Sequence, residues 1–378
     1  MNIVIFSWRG PGHPNAGGAE IVTHEHAKAW VKAGHKVTLF TSYYAGAKKR
    51  EIIDGVQIIR KGNDFIGVKL NAFYWFLHLN KKPDLVIDHF HGIPFFTPLF
   101  VRGKKLAFIH EVAKEVWWMN DLNFPFNLLY GGIGYFLEPY IFKFFYKNIP
   151  FVTVSSSTKE DLINWAIPRK NIKVIYNGVK KIVINVQKEK QKTAIFLGVL
   201  SKDKGIEDAL DVFGLLNQKD PSWQFWVVGR PDPRYLKKLK GRCRKLGIRR
   251  KIKFWGYVSD RKKFELLARS WVMVNPSVRE GWGLVNIEAN CVGIPVVAYD
   301  VSGNRDSIKN DYSGILCKEK LPKCLARKII DLVADKKTYK RLSNGAKLWS
   351  GRFNWKRATE RSEKVIEEIG VPPAYSLK

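Results

Sequence analysis

The chain has 378 residues, 46% hydrophobic and 26% charged, the balance of a soluble globular protein with two or three domains. Disordered, collagenous and disulfide-scaffold classes are excluded. The charge is less ordinary: 65 Lys and Arg against 34 Asp and Glu give +31, which predicts an anionic partner such as nucleic acid, an acidic membrane surface or a phosphorylated ligand.

The four cysteines, Cys243, Cys291, Cys317 and Cys324, lie in the second half without CxxC spacing, a reduced, cytosolic pattern. The start, MNIVIFSW, lacks the basic and long apolar regions of a signal peptide. No 18-residue apolar window exists; the nearest approach, 124–146, is interrupted by Pro125, Asn127, Glu138, Pro139 and Lys143. A cytoplasmic protein is expected.

The first half alternates strand and helix. An apolar run at 2–7 leads into a Gly- and Pro-rich loop at 9–18, then a helical pattern over 19–33 that stops at Gly34. Further strands are predicted at 36–41, 84–88, 105–109 and 151–155. Residues 180–192 carry Lys180, Lys181, Lys188, Lys190 and Lys192 and read as an exposed linker. A second alternation follows, with strands at 193–200, 224–228, 251–254, 271–275 and 295–299. Helices are predicted at 206–217, 233–247, 260–269, 284–291 and 322–334, and 337–369 is helical in pattern. Short buried strands separated by helices imply parallel sheets covered on both faces. The expected fold is α/β, two Rossmann-like parallel-sheet domains facing a cleft. Ligands of such sheets bind beyond the carboxyl ends of strands.

The strongest local signal runs from Asn275 through Glu280, Gly281, Gly283 and Leu284 to Glu288. It reads as a buried strand, a Pro/Gly loop and a helix opening near Gly283. Helix-start amides at Gly283, Leu284 and Val285, freed for close approach by Gly281 and Gly283, suit a phosphate. Glu280 and Glu288 on either side could hold sugar or ribose hydroxyls; a plain strand-to-helix turn with two solvated glutamates shows the same pattern. A second strand-loop-helix holds Gly198, Lys202, Lys204 and Gly205. Lys204 can place a cation on a diphosphate or simply be a solvated loop residue. Gly17 and Gly18 open the first helix, where backbone can approach a ligand, though such pairs are commonly structural.

Together these residues resemble the retaining GT-B glycosyltransferases with an E-x7-E motif, glycosyltransferase family 4. The resemblance covers nearly the whole chain. In the first half it rests on Gly17-Gly18-Ala19-Glu20, Phe108-Ile109-His110-Glu111, Val154–Thr158 and Ile175–Val179. In the second it rests on Gly198 to Gly205, Phe254–Tyr257, Glu280 to Glu288 and Gly293–Ala298. It implies a GT-B enzyme moving a hexose, with retention, from a UDP or GDP sugar to a hydroxyl acceptor. Glu280 would contact the donor sugar, Glu288 the ribose, and backbone near Tyr257 the base. Lys204, helped by Lys202 and the amides near Gly283 and Leu284, would neutralise the diphosphate. Gly17 and Gly18 would meet diphosphate or acceptor, and His110 would lie over the donor sugar, where its carbonyl or ring stabilises oxocarbenium-like charge. No metal or other cofactor is implied. The domains would be 1–179 for the acceptor and 193–354 for the donor, joined by 180–192, with a helix at 355–378 packing back towards the first. Two positions depart from the family pattern: Val199 stands where an Arg is usual, and Lys180 ends the usual Asn-Gly-Val-Asp.

All eight histidines fall within the first 110 residues. His89 and His91 alternate along a strand and share a face, yet no third ligand at a matching spacing accompanies them, so packing or acceptor contacts are expected. Residues 234–253 hold eleven Lys and Arg in twenty, a solvated face or an anion-binding one. The run has only Tyr235 as an aromatic and no nucleic-acid module, which argues against nucleic acid. Residues 124–146 hold ten Phe and Tyr, following Trp117 and Trp118. Part must be core; with Lys143 and Lys147 beside them they also fit an interfacial helix. With +31, this suggests peripheral attachment to anionic lipid at the inner face of a membrane and a lipid-linked acceptor. The alternatives are another GT-B activity, phosphorylase or epimerase, and a non-enzymatic basic binding protein for nucleic acid or an acidic polymer.

Overall fold

A computed structural model describes residues 1–120, 122–180, 182–230 and 232–370. Lys181 of the expected linker and the end of the expected terminal helix, 371–378, lie outside the described residues. The described residues form two compact units: Met1–Trp118 and Leu122–Gly178 with Trp355–Gly370, and Val179–Asn354 with Met119 and Asn120.

The first unit contains β1 (Asn2–Ser7), α1 (Gly18–Lys32), β2 (Lys36–Thr41), β3 (Arg50–Ile53), β4 (Val56–Arg60), α2 (Ile66–Leu77) and β5 (Leu85–Phe90). It continues with α3 (Thr97–Phe100), β6 (Lys104–Ile109), α4 (Phe126–Ile141), β7 (Phe151–Thr153), α5 (Ser156–Asn164) and β8 (Ile172–Val174). Its sheet has the order β3-β4-β2-β1-β5-β6-β7-β8. Every pairing is parallel except β3 with β4. That edge hairpin is absent from the periodicity reading, although Asp54 and Gly55 both take the positive φ that a two-residue hairpin turn requires. β8 is a further strand beyond the expected last one. Lys173 breaks its short apolar run.

The second unit contains β9 (Thr193–Leu197), α6 (Ile206–Lys219), β10 (Gln224–Val228), α7 (Pro233–Lys245), β11 (Ile252–Gly256), α8 (Asp260–Arg269) and β12 (Val272–Asn275). It closes with α9 (Leu284–Cys291), β13 (Val296–Tyr299), α10 (Asn304–Ser307), β14 (Gly314–Cys317), α11 (Pro322–Ala334) and α12 (Lys336–Ser350). The sheet order is β11-β10-β9-β12-β13-β14, parallel throughout. Its core packs α6 and α11 against the strands, with Phe213 stacked on Phe225 at 5.1 Å. Deleting such a buried ring costs about 3–5 kcal/mol.

The helical stretch read as one piece over 337–369 is two helices. α12 ends at Ser350, and a turn with Phe353 against Trp282 and Trp349 follows. The last helix, α13 (Trp355–Gly370), belongs to the first unit. There Ser362 Oγ lies 2.8 Å from His26 Nδ1 and accepts from Trp30 Nε1 at 3.1 Å, tying α13 to α1.

Both sheets start in the middle. β1 is followed by strands on one side and then, from β5, on the other; β9 and β12 repeat the pattern. Such switch points leave a crevice at the strands' carboxyl ends, where open parallel sheets bind ligands.

Candidate active site

In the second unit the loops leaving β9 and β12 meet at the switch point. Gly205, at φ +70, precedes α6, and a side chain there would strike the Pro276 carbonyl oxygen at 2.1 Å. Only glycine lets the two loops approach so closely. Val278 N donates to Asp203 O at 2.9 Å and closes the same junction. Across it, Lys204 Nζ stands 3.1 Å from Glu280 Oε2, and Glu280 Oε1 accepts from Ser277 Oγ at 2.7 Å. The Glu280 backbone is held as firmly: its N–H donates to Ser302 O at 3.1 Å, and a Cβ on Gly303 would meet Glu280 O at 2.2 Å.

Under this loop lies a buried polar cluster that the sequence reading missed. Asn275 Nδ2 donates to Asn286 Oδ1 at 2.8 Å, and Asn286 Nδ2 donates to Asn304 Oδ1 and Ser307 Oγ, each at 2.9 Å. These amides join the end of β12 to α9 and α10, fixing where α9 begins. Gly281 and Gly283 are buried there. Gly283, at φ +71, caps α9. Leu284 and Val285 form the helix's first turn, whose amides lack intrahelical partners by geometry.

Glu288 lies further along α9. Burial raises its pKa, against the nearby Lys263 ammonium, whose Nζ is 2.6 Å from Glu288 Oε1. Burial works against the Lys263 charge as well, but Glu288 and Asp260 outweigh it and the pKa rises. Nothing in the spacing of α8 marks Lys263 as Glu288's partner. Tyr257, 75% exposed just past β11, has the Arg230 guanidinium over its ring at 5.0 Å. Lys202 accepts the Gly205 N–H at its carbonyl, 3.0 Å away. Val199 is 52% exposed at the same loop.

In the first unit, Gly17 caps α1 and its N–H donates to Glu20 Oε2 at 2.7 Å, leaving Gly18 exposed at the first turn. At the end of β6, His110 is buried. Its carbonyl accepts from Thr158 Oγ1 at 3.0 Å, and Ser155 caps α5 beside it. His110 Nε2 stands 2.8 Å from His89 Nε2. Burial and the neighbouring imidazoles hold His110 well below the ordinary histidine range; His89 is pushed down to about 3. His89 and His91 do not act as a pair: His89 bonds inward to Ser7, Thr23 and His110, while His91 Nδ1 lies 3.6 Å from Glu111. Among the described residues no group of three or more His, Cys, Asp and Glu is arranged to hold a metal ion.

Comparison with known proteins matches each half of the chain. Residues 16–181 match Glycosyltransferase Family 4 and residues 180–349 match Glycosyl transferases group 1. A glycosyltransferase of Methanocaldococcus jannaschii is 26% identical over 365 residues, 94% of this chain and 96% of its own length. A second from that organism is 31% identical over 207 residues, about half of each protein (50% and 52%). Sucrose-phosphate synthase from Thermosynechococcus elongatus has the same fold, with TM-score 0.81 at 17% identity over 98% of this chain and 99% of the other. So has HepE of Anabaena, solved with UDP and glucose, with TM-score 0.72 at 19% identity over 97% and 100%. With its two parallel-sheet units and matches along both, the chain belongs to the family 4 glycosyltransferases of GT-B fold.

Proposed function

We propose that the protein transfers a hexose, with retention of anomeric configuration, from a uridine or guanosine diphosphate sugar to a hydroxyl acceptor held at an anionic membrane surface. The observation that carries the donor assignment is the Lys204–Glu280 pair at the mouth of α9. Lys204 offers the cation for a diphosphate, the first-turn amides at Gly283, Leu284 and Val285 offer donors, and Glu280 accepts from sugar hydroxyls. Lys202, in the same loop, would be a second cation in place of the arginine usual at Val199. Glu288 takes the ribose hydroxyls, backbone near Tyr257 the base, Gly17 and Gly18 the diphosphate or acceptor, and His110 the sugar. UDP in the related HepE structure supports this class of donor.

The reaction follows from those roles. The bond between the anomeric carbon and the β-phosphate oxygen breaks while the acceptor oxygen bonds to that carbon from the same face. The acceptor's proton passes to the departing phosphate oxygen. Lys204 and the α9 amides hold the growing negative charge.

The membrane assignment rests on α4 and the segment after it. Phe124, Phe126, Leu129, Phe136, Tyr140 and Phe144 are all exposed. The acid of α4, Glu138, turns inward and accepts from the Ala113 and Lys114 amides and Trp117 Nε1. An apolar face with no outward acid, on a chain of charge +31, fits the boundary of an acidic bilayer. Among the described residues no helix is long and apolar enough to cross a membrane. The test is transfer from UDP and GDP sugars to short-chain lipid and sugar acceptors, with the product anomer read by proton NMR. A product with the donor's configuration agrees with the proposal; an inverted one refutes the mechanism.

A further inference from the structure

The buried amides beneath the α9 loop fit together in one orientation only. Two backbone groups fix the ends. The Ser277 N–H lies 3.1 Å from one side of the Asn275 amide, so that side is the oxygen. The Tyr299 carbonyl lies 3.1 Å from one side of the Asn304 amide, so that side is the nitrogen. Asn275 Nδ2 therefore needs an oxygen on Asn286, and finds it at 2.8 Å. Asn304 Oδ1 needs a nitrogen there, and finds it at 2.9 Å. The demands arise at opposite ends of the cluster and agree on how Asn286 is turned. Its second N–H goes to Ser307 Oγ at 2.9 Å, whose own proton goes to Gly303 O at 2.9 Å. The three asparagines and Ser307 are at most 4% exposed. Turning any one amide over would set donor against donor or acceptor against acceptor where no water can intervene.

The start of α9 rests on this cluster. A side chain on Gly283 would strike Asn286 Nδ2 at 2.5 Å and Ser307 Oγ at 2.9 Å, so the helix cap lies directly against the amide. Asn286 N donates to Gly283 O at 2.9 Å and closes the first turn from the same residue. We propose that Asn286 is a positioning residue for the diphosphate: wholly buried, it touches no ligand, and it aims the Leu284 and Val285 N–H groups at the phosphates. This rests on the glycosyltransferase reading above. A hydrogen bond weakens steeply as it bends, so amides serve an anion only when they are held in line with it. Here the line is set by a cluster tied to backbone at both ends, before any ligand arrives. The proposed nucleoside contacts are held from elsewhere: Glu288 by Lys263 of α8, and the base by backbone just past β11.

Binding of UDP, GDP and their nucleosides to the full chain tests this, with the diphosphates followed by calorimetry and the weaker nucleosides by proton NMR. Asn286→Leu keeps the side chain's size and makes none of its bonds. Its affinity for the diphosphate that binds wild type should fall roughly 10- to 100-fold, while the nucleoside binds as it does to wild type. Ser307→Ala leaves the bond from Asn286 to Asn304 in place and should cost roughly 3- to 10-fold. The double variant should bind no more weakly than Asn286→Leu alone, because the serine then has no amide to accept from. A folded Asn286→Leu with wild-type diphosphate affinity overturns the proposal. So does an equal loss for diphosphate and nucleoside, the mark of a general disturbance. If Asn286→Leu does not fold, the same comparison on Ser307→Ala decides. Silence of both UDP and GDP with wild type refutes the donor reading and this proposal with it; nucleotide binding that both variants leave intact refutes this proposal alone.

Discussion

The two units solve the same topological problem with opposite chemistry. Each places a site where its central strand is flanked by loops from both sides, at β1 and β5 or at β9 and β12. In the first unit that place is filled by neutral imidazoles bonded to one another and to hydroxyls. In the second it is filled by ion pairs, Lys204 with Glu280 and Lys263 with Glu288. Their surfaces differ likewise. The first unit shows apolar α4; the second shows exposed Lys237, Lys240, Arg244, Arg249, Arg250 and Lys253. The proposed transfer would leave negative charge on a diphosphate and positive charge on a sugar, and the contrast between ion pairs and neutral rings suits those two charges.

The sharpest way to break this contrast is to remove the charges. Lys204→Ala and Glu280→Ala should each lower transfer by roughly 10²–10³-fold or more while the melting temperature stays near that of wild type. Wild-type turnover in both would remove the site from the second unit. The apolar side is tested by Phe136→Ser with Phe144→Ser. Sedimentation with acidic vesicles should weaken by roughly 10²- to 10⁴-fold, since each of the two exposed rings is worth about 1.5–3 kcal/mol when buried. Neutral vesicles should bind less in both proteins. Absence of wild type from both pellets would refute the membrane assignment.

A finer effect concerns Glu288. Burial raises its pKa, so the folded protein holds that proton at a higher pH than the unfolded chain. Its contribution to stability is therefore present when it is protonated and is lost as pH rises through the folded pKa. Binding runs the other way. In its proposed role the carboxylate accepts ribose hydroxyls, so nucleotide affinity should fall as pH drops through a pKa above the ordinary glutamate range. Lys263→Met removes the nearby cation and should move that limb higher, with affinity near neutral pH about 10-fold weaker. An unshifted limb would mean that Glu288 does not carry the ribose contact.

Much of this architecture was legible because the strands are short apolar runs ended by glycine loops. The α8, α9 and α11 bounds follow the periodicity at 260–269, 284–291 and 322–334. Gly205 and Gly283 mark the loops that come together. What remained hidden depends on partners remote in sequence. Asn275, Asn286 and Asn304 form one cluster only once β12, α9 and α10 pack. Lys263 is one lysine among several on α8 until it meets Glu288. The packing expected of His89 proved to be bonds to Ser7, Thr23 and His110, which strand alternation does not reveal, since it shows which face a side chain shares but not which neighbour across the sheet it bonds. The β3–β4 hairpin could have been found from Asp54-Gly55; β8, Ile172-Lys173-Val174, carries a lysine where the equally short β7, β12 and β13 are unbroken apolar runs up to their ends.

The most direct test of the account is calorimetric titration of the wild-type chain and Glu288→Ala with UDP and GDP, beside a short DNA duplex at the same salt. The account predicts that one nucleoside diphosphate binds wild type and that Glu288→Ala loses this binding while still folded. Binding of the duplex alone, with both nucleotides silent, would contradict it.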